Sequence, residues 1–153
     1  MAGVKSKEVD TVVIAGLGGE NIADILRRSP WACESPRTLI LQPMSRTEIL
    51  CRSFFELGLT LQNECLVEDA GRIYPIFLLS GGTMEPWKSG EYYTGPFALL
   101  HGSPLLSRFL AEQQRRLSSA VRGLEISGRD EERRMTLSAA LSDIETEMAH
   151  YSA

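Results

Sequence analysis

Histidine and cysteine, the residues that most often carry metal or nucleophilic chemistry, are scarce and scattered in this sequence. The two histidines, His101 and His150, lie far from each other and from the three cysteines, Cys33, Cys51 and Cys65. No CxxC pair occurs and the cysteine number is odd, which argues against both a disulfide framework and a zinc site; no metal is expected. The thiols read as buried or half-buried small hydrophobes. No uninterrupted apolar run is long enough to span a bilayer, and the leading "MAGVKSKEVD" has a lysine pair but no apolar core such as a secretory leader carries. The expected compartment is the cytosol. An excess of positive charge is also missing: 16 Lys and Arg stand against 20 Asp and Glu, for a net charge of -4. Bulk charge therefore does not advertise nucleic-acid binding.

What is present is a chain of 153 residues with 43% hydrophobic and 24% charged content, enough for one globular domain and a short appendage. Thr11 to Ala15 ("TVVIA") is a short β-branched run bounded by glycine, the pattern of a strand buried on both faces. A helix is predicted from Gly19 or Glu20 to about Arg28, with Ile22, Ala23, Ile25 and Leu26 on one face and Pro30 as its stop. "TLILQP", Thr38 to Pro43, is a second buried strand. Ser45 then reads as an N-cap, with Glu48 completing a capping box and Ile49, Leu50, Phe54 and Leu57 forming an apolar stripe closed by Gly58. Strand, helix, strand, helix predicts parallel strands with right-handed crossovers.

Two extended runs follow, Thr60 to Val67 and Arg72 to Leu79, separated by little more than "EDAG", which permits an antiparallel hairpin and no helical crossover. Pro75 within the second run calls for an edge position or a bulge. From Ser80 to Pro104 the composition turns to Gly, Pro, Ser and aromatics, the material of a connector. Leu105, Leu106, Phe109, Leu110, Leu117, Val121 and Leu124 then recur at helical spacing, as do Met135, Leu137, Ala140, Leu141, Ile144 and Met148, with Gly123 and "SGRD" around Gly128 as the turn between. The expected organisation is a partial α/β domain over 1–80, a connector over 81–104 and a helical hairpin over 105–153. There are no internal repeats.

The first strand runs into "GLGG" and a helix start, so Gly16, Leu17, Gly18, Gly19, Glu20 and Asn21 line a turn at the carboxyl edge of a parallel sheet, where open α/β folds bind ligands. The string is not a P-loop, because no Gly-Lys-Ser/Thr follows, and it lacks the third glycine of GxGxxG. Two readings stand side by side: a ligand cradle, or glycines that permit a tight turn and close helix packing. Gln42 and Arg46, in "LQPMSR", end the next strand at the same edge. Gln42 is placed to hydrogen-bond a base or cofactor or to cap its strand, and Pro43 to fix the loop or lead into the helix. Arg46 is placed to meet phosphate or to pair with acidic neighbours. Arg115, Arg116 and Arg122 form a candidate stripe for nucleic acid, while Arg133 and Arg134, among acidic residues, read as a solvated helix face.

Three strings in order, "DTVVIAGLGGENIADIL", "LILQPMSRTEILCRSFFELG" and "LVEDAGRIYPIFLL", with Gly95 and Pro96 before the terminal helices, resemble the TrmK-like tRNA (adenine(22)-N1)-methyltransferase family. The resemblance covers most of residues 9 to 100 and, more loosely, the helical tail. It implies an α/β fold: the C-terminal half of a class I Rossmann-like methyltransferase sheet, with two parallel strands and their helices, an antiparallel hairpin and a C-terminal coiled-coil-like helical hairpin. It also implies S-adenosyl-L-methionine as cofactor and tRNA as partner. Ala15, Gly16, Gly18 and Gly19 would then face the cofactor, Gly16, Leu17, Gly18 and Gln42 would serve the reaction, and Pro43, Arg46, Arg115, Arg116 and Arg122 would face the tRNA. Leu17 stands where the family commonly has methionine, an exchange that alters fit more than chemistry. Tyr74 resembles a family aromatic whose ordinary fate is packing.

The family's first strand ends in an acidic, glycine-containing cofactor motif, with a ribose-holding acidic residue after the second. This sequence contains neither, and begins at what resembles the fourth strand. The expectation is a truncated member, a chain completed by a missing N-terminal half or by a homodimer, or a remnant with another role. The competing function is therefore a non-catalytic interaction or dimerisation module. A third reading is a small nucleotide- or phosphate-binding protein using "GLGGEN" alone.

Overall fold

The computed structural model describes residues 9–151; the leading "MAGVKSKE" and the last two residues lie outside them. Side chains along the first strand, β1 (Thr11–Gly18), alternate between two environments: Val12 and Ile14 are buried, whereas Val13 is 62% exposed. The strand is thus covered on one face, not on both as its composition suggested. Two elements explain this. Helices α1 (Gly19–Arg27) and α2 (Thr47–Glu56) pack against each other, so both crossovers cover the same side of the sheet. Strand β1 also lies at the end of the sheet, whose order is β1-β2-β4-β3, with β2 (Thr38–Ser45), β3 (Leu59–Asp69) and β4 (Arg72–Gly81).

Strands β1 and β2 are parallel, Thr11 opposite Thr38, while β4 runs antiparallel to both β2 and β3. The hairpin turn is Ala70–Gly71, with φ of 47° and 77°, the double left-handed geometry that suits the twist of two-residue hairpins. It places β4, not β3, beside β2. Pro75 sits opposite Leu66 on the part of β4 beyond the Leu41–Phe77 end of its ladder with β2, so its edge-like position is local. A bulge interrupts β3 between Leu61 and Asn63.

The core of this first unit, Met1–Pro86, joins Ile22, Ala23 and Leu26 of α1 and Leu50, Cys51 and Phe54 of α2 to Leu39, Leu41, Phe77 and Leu79 of the sheet. Phe54 meets Phe77 edge-on, with ring centroids 5.5 Å apart, the arrangement favoured by the ring quadrupoles. Burial pushes the Cys51 thiol well above its ordinary pKa, with the nearby Glu64 and Glu48 adding to the effect, so it stays a neutral core side chain. Cys33 is buried too, but Cys65 is exposed, contrary to the reading of all three as covered. The capping box is also corrected. Ser45 ends β2, and Arg46, in the left-handed region at φ 55°, is the N-cap of α2 with no side-chain cap bond.

The second unit, Trp87–Ala153, holds the long helices α5 (Leu106–Ser127) and α6 (Glu131–Tyr151), preceded by two single turns, α3 (Glu91–Thr94) and α4 (Phe97–Leu100). Leu106, Phe109, Leu110, Leu117 and Val121 on α5, and Leu137, Ala140 and Ile144 on α6, are buried. Met135, assigned to the apolar stripe by its spacing, is 62% exposed. The turn lies at Gly128–Asp130, where Gly128 and Asp130 have φ of 61° and 54°; Gly123 is inside α5. The glycine- and aromatic-rich segment is tied down by carboxylates. Glu91 accepts the Lys88 and Phe97 backbone N–H groups at 2.9 and 3.0 Å, and Asp143 of α6 accepts that of Gly90 at 3.0 Å. Gly90 is required there, since a Cβ would lie 2.8 Å from that of Asp143. Among the described residues, no helix is long and apolar enough to cross a membrane.

Phe54→Ala should lower the unfolding free energy by about 3–5 kcal/mol in urea titrations, because the cavity opens under the sheet where little can collapse. In native protein a thiol-specific chromophore should modify Cys65 first and Cys51 only on unfolding.

Candidate functional site

The carboxyl ends of the parallel pair form a turn in which each glycine has a different physical task. Gly16 has φ +76° and is skipped by the register, which passes from Ala15–Gln42 to Leu17–Pro43. It is a bulge, and its backbone conformation is the one that favours glycine. A Cβ built there would meet nothing within 4 Å, so the bulge faces open space. Gly19 is the opposite case: a Cβ would lie 2.3 Å from the Arg46 carbonyl oxygen and 3.1 Å from the Leu50 Cβ. Its task is close packing of the start of α1 against the start of α2. At Gly18 a Cβ would come within 3.2 Å of the Ser45 hydroxyl.

Gln42 crosses from β2 to this bulge. Its Oε1 accepts the Gly16 N–H at 2.9 Å, and its Nε2 donates to the Pro43 carbonyl at 3.1 Å and contacts the Met44 sulfur at 3.4 Å. Pro43 is buried, whereas Leu17 and Met44 are 38% and 47% exposed on the adjacent strand ends. Glu20, in the first turn of α1, stands at the positive end of the helix and lies 3.4 Å from the Arg46 guanidinium. Both partners are more than half exposed, so the pair itself contributes little stability. Its effect is on ligand choice: a carboxylate at the helix start disfavours a phosphate there.

The structure therefore brings Ala15, Gly16, Leu17, Gly18, Gly19, Gln42, Pro43 and Arg46 to one edge of the first unit. Arg115, Arg116 and Arg122 lie on α5 of the second unit, all exposed, with Arg116 over the Tyr93 ring at 6.0 Å from its centroid. Arg108 is exposed as well and stands at heptad spacing from Arg115, which stands so from Arg122; on a helix this aligns them on one face at intervals of about 10 Å. That spacing is visible in the sequence, and it extends the stripe by one residue. Arg134 is engaged with Glu131 through its Nε at 2.8 Å, in keeping with a solvated face. Met44 is the other residue that the motif reading passed over. Its exposure continues the alternation of β2, in which Leu39, Leu41 and Pro43 are the buried side chains.

A family model described as TrmK, tRNA (adenine(22)-N(1))-methyltransferase, matches residues 1–147. Among solved structures, a Streptococcus agalactiae protein of the NADB-Rossmann superfamily is 25% identical with a TM-score of 0.76, over 96% of this chain and 63% of that one. A Streptococcus pneumoniae putative tRNA (m1A22) methyltransferase is 26% identical with a TM-score of 0.76, over 96% of this chain and 65% of that one. The same streptococcal protein in complex with S-adenosyl-L-methionine matches at 26% identity and a TM-score of 0.67, over 96% of this chain and 64% of that one. The chain thus spans less than two thirds of the length of these relatives. No curated protein matches the sequence.

Substitution separates the tasks of the glycines. Gly19→Ala should cost about 1–3 kcal/mol because the opposing atom is backbone and cannot rotate away. Gly16→Ala should cost about 1 kcal/mol from left-handed strain alone, and Gly16→Asn less, since asparagine tolerates that region. Urea midpoints of the three variants check the order.

Proposed function

The chain belongs to the TrmK tRNA (adenine(22)-N(1))-methyltransferase family, and from that premise we propose that it serves S-adenosyl-L-methionine-dependent methylation of adenine N1 in tRNA. The observation that supports this reading in the molecule is the exposed Gly16 bulge at the carboxyl end of the parallel pair, flanked by exposed Leu17 and Met44. A flat ring fits such a place: the glycine leaves room against the backbone and the two side chains offer apolar contact. S-adenosyl-L-methionine, when bound, supplies an electrophilic methyl on its sulfonium. The chain's own contribution is positional. Ala15, Gly16, Leu17, Gly18 and Gly19 line the meeting point of cofactor and base, and Gln42 and Pro43 give that edge its shape. The N1 lone pair is already nucleophilic near neutral pH, so alignment and exclusion of water carry the rate and no side-chain base is required before transfer.

Arg46 and the stripe of Arg115, Arg116 and Arg122, joined by Arg108, are assigned to the tRNA backbone, where exposed guanidiniums meet phosphate oxygens. The compartment that holds this substrate is the cytoplasm. One observation favours a second reading, a non-catalytic interaction or dimerisation module: among the described residues β1 is the end strand of the sheet, and no charged side chain from Thr11 to Gly18 guards its outer side.

Calorimetric titration with S-adenosyl-L-methionine, of this chain alone and of one extended through the upstream reading frame, tests the first reading. Heat from either, with methyl incorporation into unmodified tRNA by the form that binds, supports it; silence from both returns the turn to a structural role and favours the second. Independently, Arg115→Glu combined with Arg122→Glu should weaken tRNA binding across sequences and reduce the slope of log affinity against log salt by about 2.

A further inference from the structure

We propose that Gln42 is a positioning residue that holds the strand-end turn in the shape a flat ring requires; this deepens the adenine reading above and rests on it. Both ends of the side-chain amide are already engaged by the protein, the oxygen once and the nitrogen twice. A backbone N–H can only donate and a carbonyl can only accept, so the Gly16 contact at 2.9 Å and the Pro43 contact at 3.1 Å together fix which end of the amide is oxygen. Its second Nε2 hydrogen faces the Met44 sulfur at 3.4 Å. One planar group thereby ties Gly16 on β1 to Pro43 and Met44 on β2.

The need for such a tie comes from the register. Gly16 is passed over by the ladder between Ala15 and Leu17, so regular strand pairing does not hold its N–H. It lies in the left-handed region with open space beside it and no packing to restrain it. A glycine there samples many backbone states, and Gln42 Oε1 selects one. Met44 is likewise outside the regular register, which passes from Leu17–Pro43 to Gly18–Ser45. The two residues that this ladder passes over are thus both touched by Gln42, and they flank the place assigned to the base. Direct reading of the base by Nε2 would break contacts that shape the turn, so Gln42 acts through Gly16 and Met44. Holding the turn before the ligand arrives removes an ordering cost from binding.

The test uses the form, this chain or the one extended upstream, that binds in the titration above, labelled with nitrogen-15. It reads Gly16 amide hydrogen exchange and the affinity for S-adenosylhomocysteine in wild type, Gln42→Met and Gln42→Glu, each confirmed folded by its dispersed amide spectrum. Gln42→Met deletes the acceptor; it should speed Gly16 exchange about 10-fold and weaken the probe about 5-fold, the value of one hydrogen bond. Gln42→Glu keeps the acceptor at Gly16 and loses the ties to Pro43 and Met44; it should retain slow Gly16 exchange and weaken the probe less than Gln42→Met does. Faster Gly16 exchange in Gln42→Met with unchanged affinity would make the contact merely structural and overturn the proposal. Affinity lost as far in Gln42→Glu as in Gln42→Met, with Gly16 still slow, would separate binding from the Gly16 tie and overturn it equally. Gly16 and Leu17 signals that ignore the probe in the form that binds it defeat the adenine reading itself, and that result appears before any substitution is made.

Discussion

The contact on which the first unit depends is the approach of Gly19 to the Arg46 carbonyl, so close that a single methyl carbon would lie 2.3 Å from the oxygen. It joins the first turn of α1 to the first residue before α2. With their starts locked together, both helices leave the sheet at the same end and return across the same face. The buried row of Val12, Ile14, Leu39 and Leu41 follows from that arrangement, and so does the exposure of Val13 on the other side. Arg46 adopts a left-handed conformation at this junction, a position usually given to glycine or asparagine. The packing thus constrains both partners of the contact.

The same junction defines the edge proposed for the ligand. Because α1 begins directly after β1, the chain has no loop in which to place a binding residue, and whatever it offers a ligand must come from the strand ends themselves. The offer is backbone at Gly16, apolar surface at Leu17 and Met44, and a glutamine amide spent on holding them. The only ionisable side chains from Ala15 to Asn21 and from Gln42 to Arg46 are Glu20 and Arg46, which face each other. A site so poor in acids and bases suits a reaction driven by alignment rather than by proton transfer.

The second unit follows a different economy. Its long helices carry few large apolar residues on α6, where Leu137, Ala140 and Ile144 are the buried ones and Met135 is left in solvent. Order is supplemented by polar ties: Asp143 to Gly90, His101 Nε2 to Glu147 at 2.8 Å, and the Tyr151 hydroxyl to the His101 carbonyl at 2.6 Å. These hold the short turns α3 and α4 against α6.

Most of the fold was legible in local pattern. Helical spacing located α1, α2, α5 and α6, the brief "EDAG" link specified the hairpin, and the glycines after the first strand marked the turn into α1, because each is a matter of periodicity or turn chemistry within a few residues. What failed were inferences that require neighbours far away in sequence. A β-branched run cannot report whether its second face is covered, so Val13 was read as buried; Ser45 looked like a cap because the extra length of β2 depends on its pairing with β1. Nothing local reveals that Gly19 is required by the Arg46 carbonyl while Gly16 is required by its own backbone, or that the Gln42 amide is committed to Gly16 across 26 positions of sequence. The sequence by itself determined the elements and the residue types at the site. Only the tertiary structure decided the task of each, since close approach and hydrogen bonding at the turn arise when two strand ends are brought side by side.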